Sequence, residues 1–166
     1  SPPPNVVTPH IDALASSGMI LSRHYVFKTC TPSRSSFLSG RYPVHVTQSL
    51  RDPEQPNAGM PRNMTSIALV LKGAGYATHQ VGKWDAGMAT PGHTPVGRGF
   101  DTSLGYFEHK NDFWTKGIMQ SQCTKAGDNY TSLIDLWDTH GPAPAWMRNE
   151  TVYEEALFSG RVLSIL

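Results

Sequence analysis

Cys30-Thr31-Pro32-Ser33-Arg34 packs more chemistry into five residues than any other stretch of this sequence. A proline suits the first turn of a helix, where its missing N–H would have had no intrahelical partner. Cys30 then sits at the mouth of that helix, where unpaired backbone N–H groups and the dipole favour an anion. Arg34 is close enough to return its guanidinium to the same mouth, and its planar fork of donors suits a tetrahedral oxyanion such as sulfate or phosphate. A second group, Lys83 and Asp85 in Gly82-Lys83-Trp84-Asp85-Ala86-Gly87, offers a cation and a carboxylate. On residue types alone the first motif fits equally a buried thiol beside a surface arginine, because cysteine is among the most buried residue types.

The elements that must position these residues follow from local signals. Thr8-Pro9 starts a helix whose Ile11, Leu14 and Ala15 share a face, with Gly18 as its stop. Met19 to Phe27 reads as a strand, rich in β-branched and aromatic residues at its far end. A loop from Lys28 to Thr31 leads into a Pro32-initiated helix ending near Gly40, and Tyr42 to Arg62 reads as loop. A third helix begins at Asn63 and carries Ile67, Val70, Leu71 and Ala74 on one face. Tyr76 to Val81 reads as a strand running into Lys83, Ala86 to Tyr106 as loop, and Asn111 to Arg148 as loops and short hairpins. Val152, Ala156, Leu157 and Phe158 open a further helical pattern that runs to Leu166. This rhythm is that of an α/β layered domain, and both strands end just before the polar groups, the region where open α/β sheets carry their sites.

Composition narrows the function classes. The 166 residues are the length of one domain, and 14 Lys+Arg against 13 Asp+Glu leave no basic surface suited to nucleic acid or anionic lipid. With 39% apolar residues a core can be buried. Apolar runs such as Ile67 to Leu71 are too short to cross a bilayer, and no signal peptide lies within these residues. The 2 cysteines make neither a disulfide framework nor a four-cysteine zinc site, and the 7 histidines show no zinc spacing. A loop-like start at Ser1-Pro2-Pro3-Pro4 and an apolar finish suggest a portion of a longer protein.

Cys30-x-Pro32-Ser33-Arg34 followed by Leu38-x-Gly40-Arg41-Tyr42 resembles the signature of the type I sulfatases. Thr8-Pro9-His10-Ile11-Asp12-Ala13-Leu14-Ala15, Gly75-Tyr76-x-Thr78, Val81-Gly82-Lys83-Trp84, Arg98-Gly99-Phe100-Asp101 and Gly105-Tyr106 resemble that family in the same order. The likeness is to its arylsulfatase B-like branch. It implies an alkaline-phosphatase-like α/β/α sandwich with a mostly parallel mixed sheet, present here only in part. Residues 1–166 would then be part of a catalytic domain, lacking the first strand and the C-terminal half.

The resemblance also implies a mechanism. Cys30 would be oxidised to Cα-formylglycine by the formylglycine-generating enzyme during secretion, and the hydrated aldehyde would attack a sulfate ester. Ca2+ held by carboxylates and the formylglycine would act as Lewis acid, so that Cys30 is also the metal-side residue. Arg34 would hold the diol and calcium-side ligands, and Lys83 would bind a sulfate oxygen. The family usually carries histidine where this chain has Asp85. A carboxylate there can serve as a base, although it also repels a sulfate dianion. The expectation is hydrolysis with Asp85 as an altered base. The family's paired aspartates would lie before Ser1, and its remaining calcium ligands, second histidine and second lysine beyond Leu166. Cys30 is thus the one calcium-shell residue present, and these residues alone are expected to bind calcium weakly and to lack turnover.

Sequons at Asn63, Asn129 and Asn149 take half of the six asparagines and point to the secretory route, with a lysosomal or extracellular destination. Asn63 also stands at an expected helix N-cap, and Cys123 is expected to pair with a cysteine outside this chain. Gly73-Ala74-Gly75 follows a helix, not a strand, and is a helix stop; Trp114, Trp137 and Trp146 read as packing residues. The expected function is hydrolysis of an aryl or glycan sulfate ester. Two rivals stand beside it. A phosphoesterase of the same fold would use Ser or Thr in place of Cys30, and a non-catalytic or truncated paralogue would bind sulfated glycans without turnover.

Overall fold

Proline and glycine punctuation divides the first half of the chain into short helices, as the computed structural model shows; it describes residues 5–49, 51–118 and 133–166. Helix α1 (Pro9–Ser17) begins with Thr8 as N-cap and proline in its first turn, and Thr8 Oγ1 donates to Asp12 Oδ1 at 3.1 Å. Helix α2 (Cys30–Ser39) starts at Cys30 itself, two residues before the expected Pro32. It ends where Gly40 turns left-handed at φ 67° and donates its N–H to Ser36 O. A one-turn helix, α3 (Pro43–Val46), occupies the start of the expected loop, led by its own proline.

The expected strand from Met19 to Phe27 does not form. That stretch has no ladder partner among the described residues, and Met19, Ile20, Leu21, Tyr25 and Val26 are exposed. A strand is defined by its neighbour, and β-propensity without one does not make a strand; a turn at Ser22 and Arg23 interrupts the stretch instead. The third expected helix starts later. Helix α4 (Ile67–Gly73) is capped by Ser66, whose Oγ accepts the Leu69 N–H at 3.2 Å, so Asn63 stands outside the helix and does not cap it. Of its residues only Ala68 is buried.

Strand β1 (His79–Val81) is shorter than expected, and strand β2 (Thr102–Gly105) lies in sequence read as loop. These two pair in parallel, His79 opposite Thr102 and Val81 opposite Leu104. Strands β3 (Trp137–Asp138) and β4 (Gly141–Pro142) form a hairpin that joins β2 antiparallel, giving the order β1-β2-β3-β4. The sheet is therefore mixed, as expected, although among the described residues one pairing is parallel and two are antiparallel, so the parallel share is smaller than expected. β2 escapes sequence reading because Thr-Ser-Leu-Gly is short and lies between glycines; the register with β1 makes it a strand. Gly105 permits the close approach, since a Cβ there would fall 1.9 Å from Gly82 O.

Helix α5 (Glu154–Ile165) packs on β1 and β2. Its Leu157 and Phe158 join Leu104, Leu136 and Ala143 in one core cluster. A second cluster of Leu38, Met60, Trp84, Ala86 and Phe107 sits under α2 and the loop that follows β1. Among the expected packing tryptophans, Trp137 stacks edge-on against Phe107 at 5.9 Å, whereas Trp114 and Trp146 are exposed. No helix among the described residues is long and apolar enough to cross a membrane.

Candidate functional site

The loop after β1 is held by backbone bonds that continue the parallel pairing. Gly82 N donates to Leu104 O and Trp84 N to Tyr106 O, both at 2.8 Å. The indole of Trp84 then anchors the turn from beneath, its Nε1 donating to Gly87 O and His93 O. Asp85 takes φ 46°, a left-handed conformation that aspartate tolerates better than most residues. Gly59 lies against this turn so closely that a Cβ would fall 1.9 Å from Ala86 O. Backbone and packing together thus fix Lys83 and Asp85.

Helix α2 brings its first turn to the same place. Arg34 Nη1 donates to Lys83 O. Thr31 Oγ1, buried, donates to Asp85 Oδ1 at 2.8 Å. Cys30 is exposed at the head of this turn, not buried. The structure therefore gathers Arg34, Lys83 and Asp85 on the helix turn that begins at Cys30, although the strand expected to lead into that turn is absent.

Asp85 is 0% exposed. A carboxylate taken out of water costs several kcal/mol unless cations and donors surround it. Here Lys83 Nζ lies 3.0 Å from Oδ2, and His109 Nδ1 lies 3.0 Å from Oδ1. Lys83 Nζ also donates to His109 O, tying the two partners to each other. On the far side of the ring His109 Nε2 is 3.9 Å from Asp52 Oδ1. Thr31, His109 and Asp52 are the members of this cluster that motif reading missed. No spacing marks His109; it arrives through the β2 pairing, and only the fold shows it.

Two further histidines near this loop have structural surroundings. His79 Nδ1 meets Thr102 Oγ1 at 2.8 Å across β1 and β2. His93 is buried, held by Thr90 Oγ1 at 2.9 Å, and burial beside Arg62 and Arg98 lowers its pKa. Behind the site, Asp135 accepts the N–H groups of Phe107 and Glu108, and burial pushes its carboxyl up. Burial also raises Glu108, with Glu54 and Asp135 adding to the effect. Among the described residues no three His, Cys, Asp or Glu side chains converge as a metal centre, so the residues present do not by themselves fit a calcium ion. Asn63 and Asn149 are exposed, and Asn149 Oδ1 accepts from both N and Oγ1 of Thr151 at 2.9 Å. Asn129 and Cys123 lie outside the described residues.

Fold and cluster together define an α/β protein with cations gathered at a helix mouth. The sulfatase family model matches residues 1–158, and the chain belongs to the sulfatase family. It is 34% identical over 163 residues to arylsulfatase J of Mus musculus, covering 97% of this chain and 26% of that protein. The crystal structure of Ps i-CgsB superposes with a TM-score of 0.64 at 26% identity, over 82% of this chain and 30% of the other. The PsFucS1 sulfatase from Pseudoalteromonas sp. does so with a TM-score of 0.50 at 30% identity, over 68% and 22%. The fold is thus of the alkaline-phosphatase-like type found in sulfatases, present in part, and the chain spans about a quarter of the length of the mouse relative.

Proposed function

We propose that this chain is part of the catalytic domain of a sulfuric ester hydrolase that cleaves aryl or glycan sulfates. The observation that carries the reading is the convergence of Arg34, Lys83 and buried Asp85 on the helix turn opening at exposed Cys30. Nothing in the unmodified cluster is a nucleophile suited to sulfur except the thiol. Conversion of Cys30 to formylglycine by the formylglycine-generating enzyme would supply one in the form of the hydrated aldehyde.

The chain's own residues then have definite parts. Arg34 fixes the loop through Lys83 O and adds positive charge beside the helix mouth, where a sulfate oxyanion is favoured. Lys83 places its ammonium at the edge of the cluster, only partly buried, as the sulfate-side cation. Asp85 stands at the position of the base. Exposed Asn63 and Asn149 fit glycan attachment on a secretory, lysosomal or extracellular protein, and Asn129 belongs with them by sequon. The test is hydrolysis of a chromogenic aryl sulfate and of a sulfated oligosaccharide by the protein isolated from its own source. Sulfate release that disappears in Cys30→Ala supports the reading; equal release by that variant overturns it.

One observation favours the second reading, a paralogue that binds sulfated glycans without turnover. The Lys83–Asp85 ion pair offsets the charge that Lys83 would offer a sulfate. Retained binding of a sulfated oligosaccharide with no sulfate release in the same assay would select it.

A further inference from the structure

We propose that His109 is the group that carries the proton in this site, and that Asp85 is the carboxylate that positions it. The inference rests on the sulfatase reading and changes the part given there to Asp85. Asp85 is poorly placed to act as the base itself. It is fully buried, its Oδ1 already accepts from Thr31 Oγ1 and faces His109 Nδ1, and its Oδ2 lies in ion-pair contact with Lys83. With Oδ1 held by Thr31 and His109, Oδ2 beside the Lys83 ammonium and the whole group out of solvent, this carboxylate is not presented to a reacting centre.

The ring of His109 has the complementary property. An ionised carboxylate only accepts, so the Nδ1 that faces Asp85 Oδ1 at 3.0 Å must carry the hydrogen. That assigns the tautomer and leaves the lone pair on Nε2. Nε2 is 3.9 Å from Asp52 Oδ1, outside hydrogen-bond distance, and so has no direct partner there. The shared Oδ1 also sets the His109 ring beside Thr31, the residue that follows Cys30. Carboxylate, imidazole and free nitrogen are thus arranged as a base and its orienting group.

The charges agree. Lys83 and Asp85 offset one another, which leaves a site for an anion short of positive charge. A proton taken up at Nε2 makes His109 cationic between Asp85 and Asp52 and restores that charge. The groups facing the ring are Asp85 and Lys83 from the loop after β1 and Asp52 from the loop after α3. Arg34 of α2 reaches the same loop through Lys83 O, and Glu108 and Lys110 flank His109 in sequence. The step is a proton transfer only. An O–H bond at the reacting centre breaks, an Nε2–H bond forms, and solvent takes the proton afterwards. Asp85 and His109 together would do the work that the sulfatase signature ordinarily gives to a single histidine at position 85.

The test uses the whole protein from its natural source, with the mass of the Cys30 peptide recorded for every sample. His109→Asn keeps a donor for Asp85 but cannot take the proton. It is expected to lose about 100-fold or more in aryl sulfate turnover, and to lose the acid limb of the pH–rate profile. The double variant Asp85→His with His109→Asn is expected to recover turnover to within about tenfold of the parent, by returning the base to its ordinary place. Independently of activity, ring-nitrogen shifts of 15N-histidine-labelled protein should place the hydrogen of His109 on Nδ1, and Asp85→Asn should relax that preference. Parental turnover and an unchanged pH profile in His109→Asn, with Cys30 converted, overturn the proposal and leave the sulfatase reading standing. So does a hydrogen on Nε2 in the neutral ring. An unconverted Cys30 in a parent that releases no sulfate removes the sulfatase reading, and this proposal falls with it.

Discussion

Glu154 is the first residue of α5 and is 0% exposed. Its Oε1 accepts from Asn111 Nδ2 at 2.7 Å, while Glu154 Oε2 and Asn111 Oδ1 are buried without partners. Burial pushes its carboxyl up from 4.5 to about 7. The native state therefore holds this proton more tightly than the unfolded chain does. As pH rises from 4.5 to about 7 the folded protein loses stability relative to the unfolded, and above that window the loss is complete. The size of the shift corresponds to about 3 kcal/mol. Glu154→Gln keeps the acceptor for Asn111, places a donor at the orphaned position, and cannot ionise. The variant should match the parent near pH 4 and exceed it by about 3 kcal/mol near pH 8. In thermal unfolding this is a gain of about 6–12 °C for a chain of this size. Melting curves of parent and variant across that pH range provide the assay. A difference that does not grow with pH, or a variant less stable than the parent near pH 8, would show that burial does not govern this carboxyl.

Other predictions follow from the same packing and pairing. Lys83→Met strands the buried Asp85 carboxylate without its cation and should cost about 3–5 kcal/mol in denaturant unfolding, whereas the Lys83→Met, Asp85→Leu pair should recover most of it. Leu136→Ala, at a core position 1% exposed, should lose about 2–5 kcal/mol by the same measurement. Gly59→Ala should destabilise the turn carrying Asp85 and lower aryl sulfate turnover, because its Cβ would collide with Ala86 O and its φ of 71° disfavours a side chain. Turnover and stability of Gly59→Ala equal to the parent would contradict the close approach of these two loops.

The legible parts of this molecule are those whose signals are local. Pro9, Gly40 and the helical pattern of α5 place three helices, and the Cys30 and Lys83 motifs name four residues that the structure relates at one helix mouth. What could not be read is what depends on a neighbour. Met19 to Phe27 has strand composition but no partner strand among the described residues, while Thr102 to Gly105 has little strand character and becomes β2 by pairing with β1. Ser66 takes the cap of α4 from Asn63 because its buried hydroxyl meets both Leu69 N and Arg98 O. His109 is the clearest case. Lying 24 residues from Asp85 in sequence, it carries no motif, and the β2 pairing alone brings its ring to the carboxylate.

Everything proposed for this site depends on Cys30 becoming its nucleophile. The most direct test is the mass of the Cys30 peptide from protein made in its own source. Loss of the sulfur and gain of an aldehyde at residue 30 are expected. An intact thiol in every copy would contradict this and leave binding of sulfated glycans as the function of this fold.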